Sequence, residues 1–176
     1  MTPMKNAVCA FAALLLCLPA FAGPKDFIPG PRVPSFGNTA IVPGAALPAG
    51  ARFKVAFDVS AASEAGEVNR SLDSAARFLN MHALAGVPSE DVSVAIVVHG
   101  PAAMDLVNDA KRDAPNPNAA LISELLAAGA TVQLCGQTAA ARGITQDDLL
   151  PGVTLALSAM TAHALLQQDG YTLNPF

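Results

Sequence analysis

Along most of the chain, apolar residues recur in two alternating periods, one of extended backbone and one of helix. Phe53-Lys54-Val55-Ala56-Phe57-Asp58-Val59 is rich in β-formers and predicts a strand. Val68, Leu72, Ala75, Ala76, Leu79 and Ala83 then recur at helical spacing, with Asn69, Asp73, Arg77 and Asn80 largely on another face and Gly86 as the stop. Val92 to Val98 is a nearly unbroken apolar run, the kind found in strands covered on both faces. A helical region follows Gly100-Pro101, breaks at Pro115-Asn116-Pro117, and resumes with the apolar face Leu121, Ile122, Leu125 and Leu126 before ending at Gly129. Thr131 to Cys135 predicts a third strand, Gln137 to Arg142 a short helix, and Thr145 to Leu150 a segment opened by a Thr-x-x-Asp box. Val153 to Leu157 reads as a short fourth strand, Ser158 caps a last helix running to Gly170, and Tyr171 to Phe176 is a candidate edge strand.

Strands alternating with helices imply right-handed crossovers between parallel neighbours. The expected fold is therefore α/β: a three-layer sandwich with a mostly parallel sheet of about five strands and helices on both faces. Parallel strands direct their carboxyl ends to one edge, and open α/β sheets bind ligands there.

Two N-terminal stretches break this pattern. Lys5, the apolar run from Ala7 to Leu18, and Pro19-Ala20-Phe21-Ala22 fit a cleavable secretory signal peptide over residues 1–22, cut after Ala22. The run is shorter than the roughly 20 residues a spanning helix needs, and Gly and Pro follow it rather than a basic stop-transfer cluster. Gly23 rather than a cysteine follows the cut, which disfavours a lipoprotein. The expectation is a periplasmic or secreted protein with no membrane contact after leader cleavage. Residues 23–50 are dense in Pro and Gly, which sustain neither a helix nor a central strand. Their apolar members Phe27, Ile28, Val33, Phe36, Ile41 and Val42 point to an extended arm packed on a surface, a neighbouring subunit's among the candidates. A plain disordered linker is the alternative. Residues 51–176 form one α/β domain, and the 154 residues left of 176 after cleavage are enough for a sizeable core.

Charge and cysteine usage narrow the chemistry. Without Lys5 the chain keeps 9 of its 10 basic residues against 14 acidic ones, a net charge near −5. There is no basic stripe, no Arg-rich helix and no Trp on which bases could stack, so nucleic acid is not an expected partner. Cys9 and Cys17 leave with the leader, and Cys135 alone remains, so the mature chain has no internal disulfide. Such a thiol is an intermolecular partner, a reactive group or a buried inert residue.

Three predicted strand ends carry polar chemistry: Asp58 with Ser60, His99, and Cys135. Cys135 is followed by Gly136, Gln137 and Thr138 leading into a helix, so its sulfur should lie near free backbone N–H groups that favour a thiolate. Cys135 is the candidate nucleophile or sulfur carrier, against the plainer reading of a small core residue. His99 is the candidate base or ion-pair partner, against a histidine bonded to the turn. Asp58, Asn69, Gly136, Gln137 and Arg142 are candidate ligand-binding residues, although a polar helix face and a solvated Arg142 before Gly143 account for several without function. His82 and His163 fall within predicted helices and read as structural, with no metal site assigned. C-x-x-C, G-x-S-x-G, the phosphate loop, H-E-x-x-H and a strand-linked G-x-G-x-x-G are all absent, which argues against dithiol switches and the common hydrolases, NTPases, zinc peptidases and dinucleotide enzymes; no cofactor is expected.

The stretches Val94-Ala95-Ile96-Val97-Val98-His99-Gly100-Pro101-Ala102, Asn118 to Gly129, Val132-Gln133-Leu134-Cys135-Gly136-Gln137, Arg142-Gly143-Ile144 and Leu149-Leu150-Pro151-Gly152-Val153 together resemble the exported branch of the DsrE/DsrF-like family. The likeness covers about residues 52–176, and its most specific parts are the V-V-H-G turn and the C-G-Q turn followed by R-G-I. The resemblance implies a small α/β domain that assembles into trimers or hexamers, with Cys135 at the position where sulfur-relay members carry a persulfide. It also implies a sulfur donor or acceptor protein as partner, and sulfurtransferase-like activity if the protein turns over. The well-understood relay members are cytoplasmic, whereas this chain is expected to be exported. A non-enzymatic oligomeric module binding a small ligand or metal at the Cys135/His99 edge is the alternative, and a structural oligomer with a buried cysteine is a third reading.

Overall fold

A computed structural model describes residues 23–112 and 114–174 of the chain. The predicted leader, residues 1–22, lies outside the described residues, as does the end of the last predicted strand. Five strands, β1 (Phe53–Val59), β2 (Val92–Val98), β3 (Thr131–Cys135), β4 (Thr154–Ala156) and β5 (Thr172–Asn174), form one sheet in the order β4-β3-β2-β1-β5. Every neighbouring pair is parallel. The helices are α1 (Arg70–Leu84), α2 (Asp109–Arg112), α3 (Ala119–Ala127), α4 (Gly136–Arg142) and α5 (Ala159–Gln168).

The strand order dictates which face each helix covers. From β1 to β4 the chain steps along the sheet in one direction, so right-handed crossovers place α1, α3 and α4 on one face. From β4 the chain returns to the opposite edge to add β5, and the same handedness puts α5 on the other face. Side-chain alternation agrees. Val55, Phe57, Val59, Val94, Ile96, Val98, Val132 and Leu134 point into one core with Leu72, Leu79, Leu121, Ile122 and Leu125 from α1 and α3. Beneath α5 the central strands instead present small buried residues, Ala56 and Ala95, together with Val97. Among the described residues of α5, only Ala162 is buried.

The region after Gly100-Pro101 is less helical than its sequence predicts. Gly100–Leu106 is a 3-10 helix and only Asp109–Arg112 continues as α-helix. The buried Asp105 carboxylate accounts for the departure: it accepts from the Ser63 N–H at 2.9 Å, the Ser63 hydroxyl at 2.7 Å and the Asn69 side-chain amide at 2.7 Å. Those bonds tie the segment to the β1–α1 loop, and this non-local demand overrides helical propensity.

Residues 30–38 pack on the chain's own helix α1. Asn80 is fully buried; its side-chain oxygen accepts from the N–H groups of Arg32 (3.0 Å) and Val33 (2.9 Å), and its amide donates to the carbonyls of Val33, Phe36 and Gly37. Gly37 sits at φ +63°, where a Cβ would meet the Arg77 backbone nitrogen at 2.3 Å, so only glycine allows this approach. The polar side of α1, predicted from its spacing, is thus partly a dock for the arm. Residues 41–50 leave this surface and are exposed, with Ile41 and Val42 more than half accessible.

Candidate functional site

Asp58, His99 and Cys135 stand at the carboxyl ends of three adjacent strands. Asp58 pairs with Val97 and Val98 with Leu134, so continuing the register by one residue sets His99 beside Cys135 on strands about 4.8 Å apart. Val59, Val98 and Leu134 face the α1–α3 core, and by alternation Asp58, His99 and Cys135 face α5.

Cys135 ends β3 and caps the N-terminus of α4. Next to it in the sheet, β4 ends at Ala156 and leads into α5. The two outgoing connections diverge, α4 to one face and α5 to the other, so Cys135 lies in the crevice at the topological switch point, the place where open α/β sheets bind ligands. Gly136 makes the crevice narrow: a Cβ there would stand 2.5 Å from the Ala156 carbonyl oxygen and 3.1 Å from that of Leu157. The Gln137 side-chain amide donates to the same Leu157 carbonyl at 3.2 Å, tying the β3–α4 turn to the β4–α5 turn.

The Cys135 side chain is buried, at 6 % exposure. Burial pushes its thiol up, but the N–H groups of Thr138 and Ala159, the Thr138 hydroxyl and the Gln137 N–H more than offset this and hold it below the ordinary thiol value. These donors come from the amino-terminal turns of two helices, α4 and α5, whose dipoles favour negative charge at the same point. Thr138 is held in turn, because its hydroxyl oxygen accepts the Gly100 N–H at 3.1 Å.

On the same sheet edge, two strands from Cys135, one carboxylate holds two imidazoles. The Asp58 carboxylate meets His163 Nε2 at 2.7 Å and His99 Nε2 at 3.2 Å. Partial burial pushes the Asp58 carboxyl up, but the hydrogen bonds and charges of His163 and His99 outweigh it, so Asp58 is held below its ordinary range. Its hydrogen bond to His163 is a charge-assisted contact of about 1 to 2 kcal/mol once solvent screening is allowed for. Among the described residues, no group of three or more His, Cys, Asp or Glu side chains is placed to hold a metal ion.

The predicted residues thus divide. Cys135, Gly136 and Gln137 form the crevice, and Asp58 and His99 sit on the same edge, with His99 bonded to Asp58 rather than to the sulfur. Asn69 is elsewhere: it is the buried N-cap of α1, accepting from the Ser71 and Leu72 N–H groups, and its amide is spent on Ala61 and Asp105. Arg142 is exposed at the far end of α4, about 10 Å along the helix axis from Cys135. Sequence reasoning expected backbone N–H groups after Cys135 but not the Thr138 hydroxyl, the Ala159 N–H or the contact of His163 with Asp58. The signals for the first two were present, since Thr138 lies one turn into the helix after Cys135 and Ser158 was legible as a cap at the same sheet edge.

The DsrE/DsrF-like family model matches residues 54–175. The chain belongs to the DsrE/DsrF-like family. Two solved structures share the DsrE-like fold seen here. A protein of unknown function, MTH1491 from Methanobacterium thermoautotrophicum, is 23 % identical with a TM-score of 0.53, and the match covers 70 % of this chain and 99 % of that one. The ychN protein from E. coli is 18 % identical with the same TM-score and the same coverage of each chain. No curated protein matches the chain. The family match begins at the second residue of β1, so the arm of residues 23–50 lies outside the shared DsrE-like domain.

Proposed function

We propose that this is an exported sulfur-carrier protein in which Cys135 accepts sulfane sulfur as a persulfide, sulfurtransferase-like if it turns over. Membership of the DsrE/DsrF-like family supports a sulfur-relay-type protein. The observation that carries the finer reading is the convergence of two helix N-termini and the Thr138 hydroxyl on the Cys135 sulfur. This arrangement favours the thiolate, which is the nucleophilic form, and would equally accept the anionic terminal sulfur of a persulfide. With a thiosulfonate donor, the thiolate attacks the outer sulfur, a Cys–S–S bond forms, the donor's S–S bond breaks, and a sulfinate leaves with the electron pair. No external oxidant is needed. The burial of Cys135 selects for a small donor.

Export rests on the leader-like residues 1–22, and periplasmic or secreted location is part of the proposal. So is homo-oligomerisation: Leu157 and Met160 at the start of α5 and Leu165 further along it, at 72 %, 81 % and 60 % exposure, are apolar side chains that association would cover. A donor or acceptor protein would have to reach the same edge. The 6 % exposure of Cys135 favours one rival, an inert core thiol in a structural oligomer.

Mass spectrometry after exposure of the folded protein to a thiosulfonate separates the two. The proposal predicts one added sulfur on the wild type, removable by dithiothreitol, and none on Cys135→Ser. Full uptake by Cys135→Ser, or no uptake by the wild type, would overturn it.

A further inference from the structure

We propose that Asp58 and His163 are positioning residues that hold the start of helix α5 against the Cys135 sulfur. This rests on the reading of Cys135 as a reactive thiol and assigns the device that keeps its second helix N-terminus in place. Three observations carry it. First, α5 is weakly anchored by packing: among its described residues only Ala162 is buried, and it lies over small residues of the sheet, including Ala56 and Ala95. Second, the Asp58–His163 contact at 2.7 Å joins α5 directly to β1, two strands away from Cys135. Third, His163 is four residues on from Ala159, so the two share one helix face, and a force on the imidazole is transmitted along one turn to the Ala159 N–H.

The β3–α4 turn already touches the β4–α5 turn through Gly136 and Gln137. That contact fixes Leu157 and Ala156 at the start of α5, and the Lys54–Asp169 ion pair at 2.8 Å ties its far end to β1. The imidazole on Asp58 is the tie between these two ends. His99, at the end of β2, reaches both oxygens of the same carboxylate, at 3.2 and 3.3 Å, and helps orient Asp58. The signs of the competing effects make the idea testable. Removing the Asp58 charge by itself makes the surroundings of Cys135 less negative and favours the thiolate, whereas losing the helix anchor removes a hydrogen-bond donor from the sulfur and disfavours it.

The test is the pH dependence of iodoacetamide alkylation of the full mature chain as wild type, Asp58→Asn, His163→Leu and His163→Gln, with far-UV circular dichroism to follow helix content. Asp58→Asn and His163→Leu are expected to raise the apparent thiol pKa and slow alkylation at neutral pH by about three- to tenfold, with His163→Gln, which retains a side-chain N–H, nearer the wild type. Should His163→Leu fail to fold, Asp58→Asn carries the test alone. An Asp58→Asn thiol pKa at or below that of the wild type would overturn the positioning role while leaving a depressed wild-type pKa intact. A wild-type pKa in the ordinary thiol range would instead overturn the reading of Cys135 itself.

Discussion

At Cys135 two effects oppose each other: burial disfavours the thiolate, and four directed donors favour it and prevail. Thr138 supplies two of those donors, its N–H and its hydroxyl, and the hydroxyl is itself oriented by the Gly100 N–H. Thr138→Val keeps the shape and the backbone donor but removes the hydroxyl. It should raise the thiol pKa, slowing alkylation at neutral pH up to about tenfold, and lower the melting temperature because the Gly100 N–H loses its acceptor. Gly136→Ala must push the β3–α4 turn away from the Ala156 carbonyl, an overpacking cost of about 1 to 3 kcal/mol, measurable by urea denaturation. Asp58 adds a pH dependence with a definite sign. Its folded-state pKa is lowered, so the stability it contributes is present above its ordinary value of 3.8 and is lost as pH falls below that value through the folded one. Asp58→Asn should therefore flatten the acid limb of the stability profile below about pH 4.

Elements followed the hydrophobic period wherever burial was regular, and departed from it where a polar side chain had a distant partner. The β1 and β2 spans match the sequence pattern residue for residue, β1 because it is rich in β-formers and β2 because a nearly unbroken apolar run suits a strand covered on both faces. Helix α1 and the Ser158 cap of α5 were equally legible from local chemistry. The segment after Gly100 was not, since its shape answers to Asp105 and its bonds to Ser63 and Asn69, and no local pattern reveals that pairing. Asn80 is the same case: by spacing it belongs to a polar helix face, and only the folded arm explains its burial. Replacing Asn80 with Ala leaves the N–H of Val33 without a partner in a buried place and should cost about 2 to 4 kcal/mol. Hydrogen exchange should then show residues 30–37 opening ahead of the sheet.

For the molecule as a whole, parallel topology makes the candidate site partly readable from the sequence. Once Asp58, His99 and Cys135 are placed at strand ends, a parallel sheet must gather them on one edge. The sequence pattern could not give the strand order, and with it the return of α5 to the opposite face, which is what brings Ala159 and His163 to that edge. The same return leaves Leu157, Met160 and Leu165 uncovered. Met160→Glu combined with Leu157→Glu should lower the sedimentation-derived mass of the mature protein while preserving its helix content, if this surface joins copies of the chain; an unchanged mass would place the interface elsewhere.

The most direct test of the central claim is the rate of Cys135 alkylation in the folded wild-type protein as a function of pH, read by mass spectrometry of the intact chain. Donors from two helix ends and the Thr138 hydroxyl predict a single titration with a midpoint clearly below about 8.5, the value of an unperturbed thiol. A thiol that reacts only after denaturation, or that titrates at or above that value while folded, would contradict the account and return Cys135 to the core.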